Sequence, residues 1–296
     1  MKQLSLVTLA CLLILGAGLA TAQQRDFSNV EIKATHVRGN IYMLNGTGGN
    51  IGVSIGSDGV LIVDDKFAPL ADKIRAALKE VGGGELKFIL NTHWHGDHTG
   101  GNQVFGPEAP IIAHTNVRKR LATDQHLLGR DVPAAPKEAW PVITFDHSVS
   151  VHFNGEEIKA VHFPRGHTDG DTVIFFTGST VVHMGDDFFS GRFPFVDLGS
   201  GGDVEGLTKN IAAVLKKLSA DVKIIPGHGP VSTLDDLKTY HRMLVETTNI
   251  VRAAMAAGKS LEEIKAEGLP EEWSSWGSGF IPAERWLETI HASLSR

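Results

Sequence analysis

The stretch NTHWHGDHTGG, residues 91–101, places His93, His95, Asp97 and His98 within six positions. Hydrophobic packing does not call for three imidazoles and a carboxylate at this density. Imidazole nitrogen suits zinc and related divalent ions, and a hard carboxylate beside it suits a hydrolytic site. His93 and His95, two apart, leave a strand end on the same side. Gly96 then lets the backbone turn sharply, so that Asp97 and His98 approach from another direction. Four donors from one short loop crowd a single ion. Two ions, completed from elsewhere, accommodate them better.

Three further segments offer that completion. FPRGHTDGDT carries His167, VHMGDD carries Asp186 and IIPGHGP carries His228, each beside glycine and beyond an expected strand. Taken singly, a loop histidine is more often a hydrogen-bonded surface group, and Asp186 with Asp187 would serve to cap a turn. Together with the first loop they make five histidines and two aspartates, a donor set for two ions. The other nine histidines, His114, His162 and His183 among them, lack such a setting and read as structural or surface residues.

The elements that must position these donors follow a leader. Lys2, an apolar run from Leu4 to Leu19 and the small-residue end Ala20-Thr21-Ala22 have the layout of a secretory signal peptide over residues 1–22. Its removal predicts a periplasmic or secreted chain with no remaining membrane attachment. Cys11, the only cysteine, leaves with it. The exported chain then has no disulfide, and any metal must bind through nitrogen and oxygen. The net charge of −6 argues against nucleic acid as a partner and leaves a small molecule as the expected substrate. Oligomeric state is not legible.

Short strands punctuated by glycine turns fill residues 29–64, and GTGGN followed by Ile51 reads as a hairpin turn rather than a dinucleotide fingerprint. Leu70, Ile74, Leu78 and Val81 recur at helical spacing. LKFILN (86–91) is a buried strand that delivers the chain into the first donor loop. PIIAH (110–114) is another strand, followed by a basic helix over 115–125 and a proline-rich surface loop over 129–141. Strands return between 142 and 184, then a helix (204–218), a strand (222–226) and a helical tail (233–296) with a break at Trp273 and Trp276. Strands, helix, strands, twice over, fit two packed sheets covered by helices in one domain, residues 23–296.

HWHGDH followed in order by GHT, MGDD and PGHG resembles the metallo-β-lactamase superfamily over nearly the whole chain beyond the leader. The resemblance implies an α/β fold, a four-layer αββα sandwich with a helical C-terminal extension and metals along one edge of the sheets. It implies two zinc ions per chain, with iron or manganese as alternatives. His93, His95 and His167 would bind the first ion, Asp97, His98 and His228 the second, and Asp186 would bridge them, as in the glyoxalase II-like branch. The best-known antibiotic-hydrolysing members of similar layout have cysteine at the position of Asp186 and a substrate-gripping lysine at that of Phe189. Arg192 is the nearest replacement for that lysine.

The expected chemistry is hydrolysis of an amide, lactone, ester or thioester by hydroxide generated at the metal ions, with Asp97 orienting it and shuttling its proton. β-Lactamase-like hydrolysis is the leading expectation. A glyoxalase II-like lactonase or thioesterase and a non-catalytic periplasmic metal-binding protein are the alternatives. Asp64, Asp65, Thr168 and Asp171 are candidates for orienting the imidazoles. In DDFFSGRFPF (186–195), Phe189 and Arg192 are candidate substrate contacts, an apolar wall with one cation that suits a small organic anion.

Overall fold

The computed structural model describes residues 26–296; the leader expected over residues 1–22 lies outside them. Alternation along the strand Gly59–Val63 shows how the layers arise. Leu61 and Val63 enter a core shared with a second sheet, while Val60 and Ile62 pack on the opposite face with the helix Ala71–Glu80. All four are fully buried. Both faces of this sheet are therefore covered, as parallel strands require.

The first sheet has seven strands in the order β1 (Lys33–Arg38), β2 (Ile41–Asn45), β3 (Ile51–Gly56), β4 (Gly59–Val63), β5 (Leu86–Leu90), β6 (Ile111–His114) and β9 (Ile143–Phe145). The second has five: β10 (Ser148–Phe153), β11 (Glu156–His162), β12 (Thr172–Phe176), β13 (Val181–His183) and β14 (Lys223–Ile225). β7 (Gln125–Leu127) and β8 (Arg130–Val132) form a separate hairpin. Ile41, Leu61, Leu90 and Ile112 from one sheet meet Ile158, Ile174, Phe176 and Ile225 from the other in a single apolar seam.

Helices cover the outer faces. On the first sheet lie α1 (Ala71–Glu80), the single turns α2 (Gly96–Thr99) and α3 (Asn102–Phe105), and α4 (Thr115–Leu121). On the second, α5 (Val204–Leu215), α6 (Leu234–Ala256) and α9 (Ala283–Leu294) bury Leu207, Ile211, Leu237, Leu244 and Trp286 against Val173, Val182 and Ile224. The short α7 (Leu261–Glu267) and α8 (Glu271–Ser274) lie between α6 and α9. Helix, sheet, sheet, helix: this is the αββα sandwich. Among the described residues no helix is long and apolar enough to cross a membrane.

Two expectations need correction. The basic helix stops at Leu121 because Gln125 begins the β7–β8 hairpin, so part of the expected proline-rich loop is paired strand. The expected break at Trp273 and Trp276 consists of α8 and a 3-10 turn, Ser275–Ser278. Its tryptophans are anchors: Trp273 is buried and donates to Glu246 Oε2 at 3.0 Å, and Trp276 stacks on Tyr240.

Strand direction sets the site. β4, β5 and β6 run parallel, and so do β13 and β14. Their C-terminal ends open on one edge, the edge to which the donor loops belong.

The tail is part of the folded core, because Trp286 of α9 is fully buried and donates to Thr247 Oγ1 of α6 at 3.0 Å. Trp286→Ala is expected to cost about 3–5 kcal/mol, the usual range for emptying a large aromatic site. The urea midpoint reads this; an unchanged midpoint would show that α9 does not belong to the cooperative unit.

Candidate metal centre

Beyond β5 the chain runs through Asn91 and Thr92 into His93, all buried. Asp64, just past β4, holds this run in place. Its Oδ1 accepts the Thr92 N–H at 2.8 Å, and its Oδ2 accepts the Thr92 hydroxyl and the His98 Nδ1–H, both at 2.7 Å. Asp64 has φ of 64°, a left-handed conformation that costs a non-glycine residue energy, and these three bonds retain it there. Gly96 has no positive φ and opens the single turn α2, with His95 at the N-cap. The helical turn, rather than a sharp bend at Gly96, carries Asp97 and His98 away from His93 and His95.

The second sheet supplies the other donors. His167 precedes β12, Asp186 follows β13 and His228 follows β14. Asp186 lies between two sets of imidazoles. Its Oδ2 is 3.8 Å from His93 Nε2 and 3.6 Å from His167 Nε2; its Oδ1 is 3.0 Å from His98 Nε2 and 3.4 Å from His228 Nε2. Asp97 Oδ2 lies 3.4 Å from His228 Nε2 and 3.8 Å from His98 Nε2. The seven donors fall into two groups, His93, His95, His167 and Asp186, and Asp97, His98 and His228, with the donor atoms of each group within 4.8 Å of one another. One carboxylate with an oxygen toward each group is the arrangement of a binuclear metal site.

Hydrogen bonding shows that these atoms aim lone pairs inward. His95 Nε2 meets Asp197 Oδ2 at 3.0 Å, His167 Nδ1 meets the Phe195 carbonyl at 2.6 Å, and His93 Nδ1 meets Thr92 Oγ1 at 3.0 Å. Each contact fixes the ring proton on the outward nitrogen and leaves the inward nitrogen as an acceptor. His95 Nδ1 and His167 Nε2 then face each other at 2.8 Å. Two neutral acceptors at that distance repel unless a cation or proton lies between them. His93 Nε2, His98 Nε2 and Asp186 Oδ1 are buried without any hydrogen bond. The residues fit metal ions, with nitrogen and oxygen donors only.

The electrostatics agree. Burial lowers His93 well below the ordinary imidazole range and His167 to about 4, keeping both neutral. Burial opposes charge on His228, yet Asp186 and Asp97 beside it push it up to about 9. Burial would raise Asp186, but His98, His228 and His93 hold it well below the carboxylate range. Asp97 is likewise held low by His98 and His228. Asp186 and Asp97 draw positive charge into the cluster, raising His98 as they raise His228, so protons occupy those two rings wherever no cation does.

Of the residues expected to orient the imidazoles, Asp64 does so through His98. Asp65 instead accepts the Gly101 N–H, and burial pushes its carboxyl well above the usual range. Thr168 and Asp171 bond to each other, and Asp187, pushed by burial up to about 7, accepts the His167 N–H. These three brace the His167 loop without touching its ring nitrogens. The orienting groups that sequence reading missed are Asp197, the Phe195 carbonyl and Thr92. Asp197 stands 102 residues from His95, with no spacing to betray it. Two other supports carried no signal. Asn50 Nδ2 donates to the Pro226 and Gly229 carbonyls around His228, both at 2.9 Å. Lys66, fully buried and pulled by burial down to about 8, donates to the Gly49 carbonyl.

Above the donors lies a cavity of about 410 Å³ whose walls include Asp97, Asp186, His228, Phe67, Phe189, Arg192 and Phe195. Phe189 stacks on the His228 ring at 5.0 Å and 20°. Phe189 is nevertheless buried and belongs with Phe188 and Phe193 to the core of the second sheet.

Because Asp197 holds the His95 tautomer, Asp197→Asn is expected to weaken binding at the His93, His95 and His167 group about 10–100-fold. Asp65→Asn, which leaves every imidazole contact in place, is expected to have no such effect. Competition of each variant against a chromogenic chelator measures this; equal metal affinities for the two would remove Asp197 from the orienting role.

A model of the metallo-beta-lactamase superfamily matches residues 37–229, a span that contains all seven donors. The hydroxyacylglutathione hydrolase of Pelagibacter ubique (strain HTCC1062) is 30% identical over 148 residues, 48% of this chain and 52% of that protein. That of Polaromonas sp. (strain JS666 / ATCC BAA-500) is 27% identical over 172 residues, 54% of this chain and 55% of that protein. The chain spans about half the length of these curated relatives. Among solved structures, DIM-1 metallo-beta-lactamase aligns with TM-score 0.60 and 21% identity over 74% of this chain and 99% of that one. The sec-alkyl sulfatase PisA1, as a double mutant, aligns with TM-score 0.65 and 17% identity over 88% of this chain and 50% of that one. At these identities the solved structures speak for the fold, and the sequence match decides the family: the chain belongs to the metallo-beta-lactamase superfamily.

Proposed function

We propose that this chain is a dizinc hydrolase that cleaves an acyl carbon–heteroatom bond, an ester or thioester foremost, outside the cytoplasm. One observation carries the reading. Asp186 turns one oxygen to His93 and His167 and the other to His98 and His228, so a single carboxylate would serve both ions. The emphasis on esters and thioesters rests on that hard oxygen donor and on the hydroxyacylglutathione hydrolases among the relatives. Phe189, stacked on His228, supports an apolar contact where a β-lactam carboxylate would call for a cation.

When bound, the ions would supply Lewis acidity and a water whose pKa falls from about 15.7 towards about 7. The rest belongs to the chain. His93, His95, His98, His167 and His228 would hold the ions, and Asp64 and Asp197 keep the rings His98 and His95 in register. Asp97 is the donor carboxylate that faces the cavity, with 30% of its side chain exposed against 5% for Asp186. It is placed to orient the attacking water, take its proton and pass that proton to the leaving group. The water oxygen joins the acyl carbon, the carbon–oxygen or carbon–sulfur bond breaks, and the departing alcohol or thiol carries the proton. Arg192, on the cavity wall with no carboxylate partner among the described residues, would meet an anionic group of the substrate.

Asp97→Asn keeps shape and one acceptor oxygen but cannot take a proton. It is expected to lower kcat/KM about 10²–10⁴-fold on the best substrate of an ester, thioester, lactone and β-lactam panel. Metal content is to be read on the same sample, with two ions per chain expected in the parent. A variant that turns over as fast as the parent would refute the role of Asp97. A parent that hydrolyses nothing in the panel while holding two ions would leave a metal-binding protein.

A further inference from the structure

Leu128 and Phe280 are 52% and 69% exposed, large apolar side chains left open to water, and both line the cavity above Asp97, Asp186 and His228. They arrive from distant parts of the chain. Leu128 stands at the tip of the β7–β8 hairpin, and Phe280 lies between the Ser275–Ser278 turn and α9. Neither is loosely placed. Leu128 and Gly129 form the two-residue turn of the hairpin with φ of 52° and 76°. The first position of such a turn favours asparagine, aspartate or glycine. An aliphatic residue there is strained, and its place at the hairpin tip sets an apolar group on the cavity wall.

Phe280 is held from behind. The Trp276 carbonyl accepts the Phe193 N–H at 3.3 Å, and a Cβ at Gly279 would come within 3.4 Å of the Arg192 stem. The Phe280 ring meets Phe195 edge-on at 6.5 Å, and Phe195 in turn lies 5.7 Å from both His95 and His167. An apolar path thus runs from the metal ligands through Phe195 to Phe280. Phe67, Leu127 and Leu128 also line this cavity.

We propose that Leu128 and Phe280 are jaws for the acyl chain of the substrate, and that the preferred substrate is an ester or thioester of a medium-length alkyl or aryl carboxylic acid. The inference rests on the hydrolase reading above and adds the substrate class. The helical tail then has a role in specificity, delivering Phe280 to a site whose metal donors all precede it in the chain. A polar or polymeric acyl group would leave both jaws wet. An apolar chain removes them from water, each buried methylene adding to affinity.

The test uses the metal-loaded chain and p-nitrophenyl acetate, butyrate, hexanoate and octanoate. KM is expected to fall about two- to fourfold per methylene, the upper figure being the full transfer value of a methylene, while kcat changes little. The double variant Leu128→Ser, Phe280→Ser is expected to flatten that trend, with KM rising far more for the octanoate than for the acetate ester. Both positions are exposed, so circular dichroism and metal content should match the parent, and Phe280→Leu should retain most of the trend. Calorimetric titration with acetate and octanoate reads the same preference without turnover: octanoate binds the parent more tightly, and the double variant loses the difference. A flat chain-length profile, or the same slope in the double variant, would overturn the proposal. If no p-nitrophenyl ester is cleaved, the hydrolase reading is decided by the wider panel and the octanoate titration alone decides the jaws: equal binding to parent and double variant, or none to either, would refute them. A parent dimer that becomes monomeric on Phe280→Ser would assign Phe280 to a second copy of the chain and overturn the proposal equally.

Discussion

Imidazole lone pairs that face one another at 2.8 Å do not rest without positive charge between them, and most of this molecule serves to hold them there. Left alone, five imidazoles would rotate outward or take up protons. Asp64, Asp197, Thr92 and the Phe195 carbonyl prevent the rotation of four by bonding their outer ring nitrogens, and Phe189 stacks on the fifth, His228. Burial discourages protonation of His93 and His167. The repulsion is thus stored in a framework that a cation relieves.

That framework depends on close approach as much as on hydrogen bonds. A Cβ at Gly227 would overlap Asp186 Oδ1, and one at Gly49 would overlap the His98 ring. These two glycines let the turn before His228 and the β2–β3 hairpin press against the donors from either side. Asn50 and Lys66 then secure the contact, each donating to carbonyls of those segments. Lys66 is a costly choice for a buried position. Its ammonium lies in a site where Asp97 and Asp64 favour the charge that burial opposes.

How much of this was legible follows from how each residue announces itself. The layers could be read because unbroken apolar runs such as Val60–Val63 reflect burial on two faces. The seven donor residues could be picked out because histidine and aspartate beside glycine at strand ends are rare for packing reasons, and the structure brings all seven together. What failed depended on tertiary contact. Asp197 looks like any loop aspartate until the fold carries it to His95, and Asp65 and Asp171 looked like orienting groups only by proximity in sequence. The β7–β8 hairpin hid behind prolines, and Phe280 behind a helical tail whose direction no periodicity reveals.

The donors are divided between the sheets. His93, His95, Asp97 and His98 extend from the first; His167, Asp186 and His228 extend from the second. Neither half holds a complete set for either ion, so full metal affinity exists only once the two sheets have docked. By linkage, the ions must in turn favour the docked state. Cys11 is the only cysteine in the chain, so no internal disulfide can tie the halves together. Bound ions would therefore act as the stitch that closes the open edge of the sandwich, while the rest of the seam is held by apolar packing. Chemistry and cohesion share the same atoms, and a chain that loses its ions loosens first where it works.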